Sequence, residues 1–226
     1  TFSEQVARNQ LDEMRSSLSA TLRTVLMLAV PATIGMILLR RPIVSLLYEG
    51  RQFGAHSTDL VAWALLWYTA GLVGHCVVEI VSRAFYALHD TRTPVTIGVG
   101  AMTLNLVLSF VFVELFRRLG WMLHGGLALA NTTATFVECF LLLILMNRRL
   151  KGIDGRRIFG STLKFLFAGL VMGLVLWQML VNPTPMHPAL RLGLLIFAGM
   201  GVYLILIALF RSEEIQSLKT ILKKRN

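Results

Sequence analysis

His75, Glu79 and Arg83 stand four residues apart inside a long apolar run, so a helix there places all three on one face. Glu79 precedes Arg83 in the i, i+4 order that favours an ion pair. Charged groups are costly in hydrocarbon, and a helix that carries such a stripe turns it toward water, a partner or a substrate. Two uses follow. The stripe can line an aqueous cavity where Arg83 meets an anionic substrate and His75 or Glu79 exchanges a proton, or Glu79 and Arg83 can satisfy each other near the membrane interface.

Glu138 poses the same question in another apolar run: a carboxylate there is either protonated or faces water or a cation, which makes it a candidate for a transport path. Asn131 and Asn105 read as hydrogen-bonding links between helices, and Glu114 beside Arg117 and Arg118 reads as a boundary ion pair. Covalent chemistry is poorly served. His89 with Asp90, or His75 with Glu79, could be offered as acid–base pairs, but no phosphate loop, nucleophile arrangement or metal-ligand cluster accompanies them. Cys76 and Cys139 lie within apolar runs without a CxxC pattern and read as packing residues. Neither a metal nor a cofactor is expected.

The elements that must hold these groups follow from composition. Of 226 residues, 55% are hydrophobic and only 15% charged, too few to cover a water-soluble domain. Six runs approach or exceed the roughly 20 residues that cross a bilayer as helix: 22–39, 60–88, 94–116, 125–146, 159–181 and 190–210. The expected fold is all-α and polytopic, with six transmembrane helices. Runs this long and continuous rule out the short alternating strands of an outer-membrane barrel. The net charge of +10 gathers at the ends of these runs rather than on an aromatic-interleaved face, which argues against nucleic acid as a partner. Most of the Lys and Arg fall on one side when loops are assigned alternately, which puts both termini in the cytoplasm.

The expected organisation is a cytoplasmic lead-in helix (1–21), four transmembrane helices (22–147), a basic cytoplasmic loop (148–158), a terminal transmembrane hairpin (159–210) and an amphipathic cytoplasmic tail (211–226). Pro31 with Gly35 predicts a bend in the first span. The segment after Arg40, Arg41 and Pro42 predicts a short interfacial helix, and His56, Ser57 and Thr58 offer caps to a single, longest second span. Gly169 and Gly173 form a GxxxG pair suited to close packing. The chain opens at Thr1 without a signal-peptide pattern and reads as a piece of a longer protein.

The stretches RPIVSLLYEGRQF, EIVSRAFYALHDTRTP, LNLVLSF and GLALANT, in this order, resemble the carboxy-terminal half of the MurJ/MviN family of lipid II flippases. The most specific piece is FYALHDTRTP, with Phe85, Tyr86, Asp90, Thr91, Arg92, Thr93 and Pro94. Physically it reads as a hinge: Asp90 caps the next helix, Arg92 anchors to phosphate headgroups or a carbonyl, and Pro94 sits in a permitted first turn. The resemblance implies helices nine to fourteen of a two-lobed exporter in the bacterial inner membrane. It further implies alternating access for an undecaprenyl-linked peptidoglycan precursor, with membrane lipids and an amino-terminal lobe as partners and the polyprenyl tail beside the last two helices. The family's cavity arginines belong mostly to the amino-terminal lobe and helix eight and map onto no residue here. Rival readings are a polysaccharide or drug/cation transporter of the same superfamily, an integral-membrane glycosyltransferase or acyltransferase, and a membrane scaffold.

Overall fold

The computed structural model describes residues 2–8, 10–50, 53–182 and 185–210, which form eight helices and no strand. These are α1 (Phe2–Ala7), α2 (Leu11–Tyr48), α3 (Ala55–Ala70), α4 (Leu72–Ala87), α5 (Arg92–Arg118), α6 (His124–Arg149), α7 (Gly155–Val181) and α8 (Pro188–Leu209). Five are long and apolar enough to cross a bilayer alone, and α3 and α4, bent by 43°, meet the same length and composition together. The chain is a multi-pass membrane protein. The expected tail, 211–226, lies outside the described residues.

α2 organises the bundle: α3, α4, α7 and α8 all pack against it. Its 38 residues reach about 57 Å, far beyond a hydrocarbon core of about 30 Å, so it projects from the membrane. Leu11, Met14, Leu18 and Leu22 lie on the same helix as the first span, and Met14 and Leu18 are fully buried. The separate interfacial helix expected after Pro42 is instead the end of α2. Proline removes one backbone donor, and the ladder resumes beyond it with Glu49 N–H donating to Ser45 O. The expected caps differ too. α3 starts at Ala55 with Gly54 as its N-cap, so His56, Ser57 and Thr58 lie inside the first turn.

Pro31 leaves the Met27 carbonyl without its usual i+4 donor. Tyr203 of α8 supplies one, its Oη donating to Met27 O at 2.7 Å from a side chain that is 4% exposed. A carbonyl freed inside a membrane protein must be satisfied by a neighbour, and here the neighbour also fixes α8 against α2. Tyr203→Phe should therefore destabilise the fold by about 1 kcal/mol, read as a lower thermal midpoint of the detergent-solubilised full-length protein. An unchanged midpoint would refute this role for the hydroxyl.

The second span departs from the single helix expected for 60–88. It breaks at Gly71, whose N–H turns back to Tyr68 O at 3.0 Å, which takes the usual donor away from Trp67 O. Thr132 of α6 fills the vacancy, its Oγ1 donating to Trp67 O at 2.6 Å. A Cβ on residue 71 would stand 2.8 Å from that Oγ1 and 3.3 Å from the Thr132 Cα, so glycine is needed for the approach.

α6 packs on α3, α4 and α5, while α5 touches mainly α6 and leaves most of its surface uncovered. At Gly126 the α5 and α6 backbones nearly touch: an added Cβ would be 2.8 Å from the Phe112 carbonyl. Gly169 and Gly173 of α7 meet Ile34 of α2, so the GxxxG pair does mark a close helix contact. α7 begins at Gly155, within the stretch expected to be loop.

Candidate functional site

α4 buries Gly74, Val77, Val81, Ala84 and Phe85 and packs on α2 and α6. The opposite face leaves His75, Glu79 and Arg83 exposed, as the fourfold spacing requires. Arg83 donates from Nε (2.9 Å) and Nη2 (2.6 Å) to Glu79 Oε1, and both side chains are about two-thirds exposed, at 66% and 63%. Arg83 keeps further donors for another anion, since a guanidinium carries five N–H groups.

His75 lies one turn closer to the break. Its Nε2 is 3.2 Å from Thr135 Oγ1 and 3.4 Å from Asn131 Nδ2, both on α6. An unprotonated Nε2 accepts from these groups, whereas a protonated one donates to the threonine hydroxyl. Glu138, three residues beyond Thr135 on α6, is half-buried. It borders a cavity of about 340 Å³ between α5 and α6, with Gly100, Ala101 and Leu104 across from it. The structure thus joins His75, Asn131 and Thr135 across two helices, with Glu138 one turn along α6 from Thr135. Glu79 and Arg83 form a separate pair, with no hydrogen bond or ion pair to Glu138 among the described residues.

The FYALHDTRTP stretch forms the elbow between α4 and α5. Phe85 is buried in the core and Tyr86 is half exposed. Asp90 N–H donates to Phe85 O and His89 N–H to Tyr86 O, with His89 at φ 58°, which closes α4 as a Schellman motif. Asp90 then opens α5: Oδ1 accepts from Thr93 N–H at 3.1 Å and Oδ2 from Thr93 Oγ1 at 2.8 Å. The two bonds from Thr93 hold the Asp90 carboxyl below the usual aspartate range. Thr91 and Arg92 are exposed, and Pro94 is buried in the first turn of α5, where a missing N–H costs little.

Loss of this cap has a predictable sign. Because the folded-state pKa is depressed, the carboxylate contributes stability above the unfolded value and loses it as pH falls through the folded one. Asp90→Ala should cost about 1 kcal/mol at pH 7, with the gap to wild type narrowing below about pH 4. Equal thermal midpoints for the two proteins at pH 7 would show that the cap contributes nothing.

Two features were not anticipated. Thr132 and Tyr203 act on backbone carbonyls that only the folded break and the proline expose. Trp63, Trp67, Phe116 and Trp121 form a cluster where α3 and the α5–α6 turn meet, edge-to-face except for the stacked Trp67–Trp121 pair, with Trp63 Nε1 donating to Met122 O at 3.3 Å. Tryptophans near the ends of apolar runs were the available signal, since such rings gather at membrane interfaces. An apolar groove of about 380 Å³ lies between α2, α7 and α8, bordered by Leu28, Pro31, Met36, Leu176, Gly199 and Tyr203.

Comparison with known proteins bears on this geometry. A family model described as lipid II flippase MurJ matches residues 1–190. A probable lipid II flippase MurJ of Vibrio cholerae is 29% identical over 83% of this chain and 36% of its own length. The lipid II flippase MurJ of Burkholderia cenocepacia is 31% identical over 57% of the chain and 24% of its own. The solved structure of a lipid II flippase MurJ in an inward closed conformation superposes with a TM-score of 0.76 at 24% identity, over 92% of this chain and 41% of that one. The chain therefore spans well under half the length of these relatives, and its helices follow the fold of the solved neighbour. With the family model matched across most of its residues, the chain belongs to the lipid II flippase MurJ family.

Proposed function

We propose that this chain is the carboxy-terminal part of a lipid II flippase that moves an undecaprenyl-linked peptidoglycan precursor across the bacterial inner membrane by alternating access. The observation that carries the reading is family membership joined to an exposed cationic and acidic stripe on a membrane helix. Such a stripe is costly against acyl chains, so an amino-terminal lobe is expected to cover it and enclose water between the two. In that cavity Arg83 meets the pyrophosphate, while His75 and Glu138 exchange a proton or hold the α4–α6 seam. The DTRTP elbow, Asp90 to Pro94, is a hinge between α4 and α5 rather than a ligand site. The polyprenyl tail lies in the groove formed by α2, α7 and α8, whose lining is almost wholly apolar. No bond is made or broken, so the protein is a transporter. Both termini of this chain face the cytoplasm.

The direct test uses the complete protein. Reconstituted in vesicles loaded with lipid II on one leaflet, it should transfer the lipid to the other, and its gene should restore growth to cells depleted of their own flippase. Transfer of an O-antigen lipid but not lipid II would support the polysaccharide-exporter reading instead.

A further inference from the structure

At the end of the bundle opposite the α4–α5 elbow, α2, α3 and the α7–α8 hairpin enclose a cavity of about 380 Å³. Four charged side chains meet around or beside it. Arg41 and Asp59 neutralise each other, with Nε 2.8 Å from Oδ1 and Nη2 3.4 Å from Oδ2. Arg191 and Glu49 have no such partner. Arg191 is half-buried and donates one bond, from Nη2 to Leu180 O at 3.1 Å, which leaves most of its fork of donors unused. Glu49 accepts from Ser45 Oγ, and no described cation pairs with it. Arg191 and Glu49 both line the cavity, yet no ion pair joins them among the described residues.

Among the described residues the cavity therefore has one open positive and one open negative group, which balance once the Arg41–Asp59 pair is set aside. A simple anion would meet Glu49 as well as Arg191, and a simple cation the reverse. A ligand that carries both signs a few bonds apart satisfies both. The cavity also has an apolar exit: Leu195 lines both it and the α2–α7–α8 groove, which follows α2 from Met27 to Ile43, about 24 Å along the helix. That exceeds half of a hydrocarbon core of about 30 Å, so a chain can descend one leaflet from a head held in the cavity.

We propose that this cavity binds a membrane phospholipid whose head joins a phosphate to a primary amine. Arg191 takes the phosphate, whose oxygens match the planar guanidinium, and Glu49 takes the ammonium through its N–H groups. A quaternary amine has no N–H to give and a glycerol head has no positive charge, so the site discriminates among common lipids. The inference needs neither the α4 stripe nor a second lobe for its chemistry, but its chain shares the groove that the transport reading gives to the polyprenyl tail. It adds a resident lipid at the mouth of the groove.

The test uses the full-length protein in detergent, with phosphatidylethanolamine, phosphatidylcholine and phosphatidylglycerol added singly and bound lipid read by native mass spectrometry. Phosphatidylethanolamine should bind about tenfold more tightly than the other two, the difference expected for one charge-assisted bond. Glu49→Gln should erase that preference, weakening phosphatidylethanolamine and leaving phosphatidylglycerol as tight or tighter because the carboxylate no longer repels its phosphate, whereas Arg191→Gln should weaken all three. A variant that has failed to fold is recognised by loss of its thermal transition, and Arg191→Lys, which keeps the charge, then stands in for it with partial retention expected. Equal affinity for the three lipids, or a preference that survives Glu49→Gln, would overturn the proposal. Soluble phosphoethanolamine binding as well as the lipid would overturn it as well, by showing that no chain is involved.

Discussion

Arg83→Ala in the complete protein should lower lipid II transfer about tenfold or more, while Arg117→Ala leaves it within about twofold. Both arginines are exposed, helical and paired with a glutamate, so charge alone does not separate them. Position does. Arg83 lies on the same face as His75, which reaches α6 near Glu138, and it holds Glu79 through two donors to one oxygen with further donors left for a substrate. Arg117 shares Glu114 with Arg118 at the end of α5, where two cations already serve one carboxylate and solvent screens the exposed pair. Losing a charge-assisted bond to a phosphate costs about 1.5–3 kcal/mol, which is tenfold or more in rate if the bond forms on the way across. Arg83→Lys separates charge from geometry: a point charge should restore part of the transfer but not the forked contact. Equal transfer by the Arg83→Ala and Arg117→Ala proteins would remove Arg83 from the path.

Much of this was legible in the residues because membrane helices advertise themselves by length, and the fourfold spacing of His75, Glu79 and Arg83 fixes their common face wherever the helix goes. Asp90 was legible as a cap for a similar reason: a short carboxylate three residues before Thr93 can reach one amide and little else. What escaped depended on partners distant in sequence. Nothing near Gly71 distinguishes a tolerated glycine from a break, because the deciding contact is Thr132, 61 residues away. Pro42 misled in the opposite direction. A proline after two arginines resembles a helix end, yet it removes only one donor, and burial of Val44 with the pairing of Arg41 to Asp59 keeps α2 helical through it. His75 reads in sequence as a member of the Glu79–Arg83 stripe, but its nearest polar partners belong to α6, so the site divides into an ion pair on one helix and a seam between two.

Gly71→Val should be the most damaging single change to the α3–α4 span, destabilising the protein by about 2–4 kcal/mol. The new Cβ would press on Thr132 at both its hydroxyl and its backbone, and overpacking of this kind costs about 1–3 kcal/mol. Moving the hydroxyl also strands Trp67 O, which adds about 1 kcal/mol. These two contributions can be separated. Thr132→Val keeps the shape and removes the donor, so it should cost about 1 kcal/mol, while Thr132→Ser keeps the donor and should stay near wild type. Gly71→Ala combined with Thr132→Ser should cost less than the sum of the two, because the new Cβ meets Oγ1, and a serine hydroxyl, free of the β-branch, turns away from it more easily than threonine's; strict additivity would mean that the two residues do not press on each other. The consequence for transport follows from direction. The 43° bend sets the tilt of α4 and therefore where His75, Glu79 and Arg83 point, so a folded Gly71→Ala protein should lose transfer out of proportion to its thermal midpoint. Transfer that merely tracks stability across these variants would reduce the break to a packing detail.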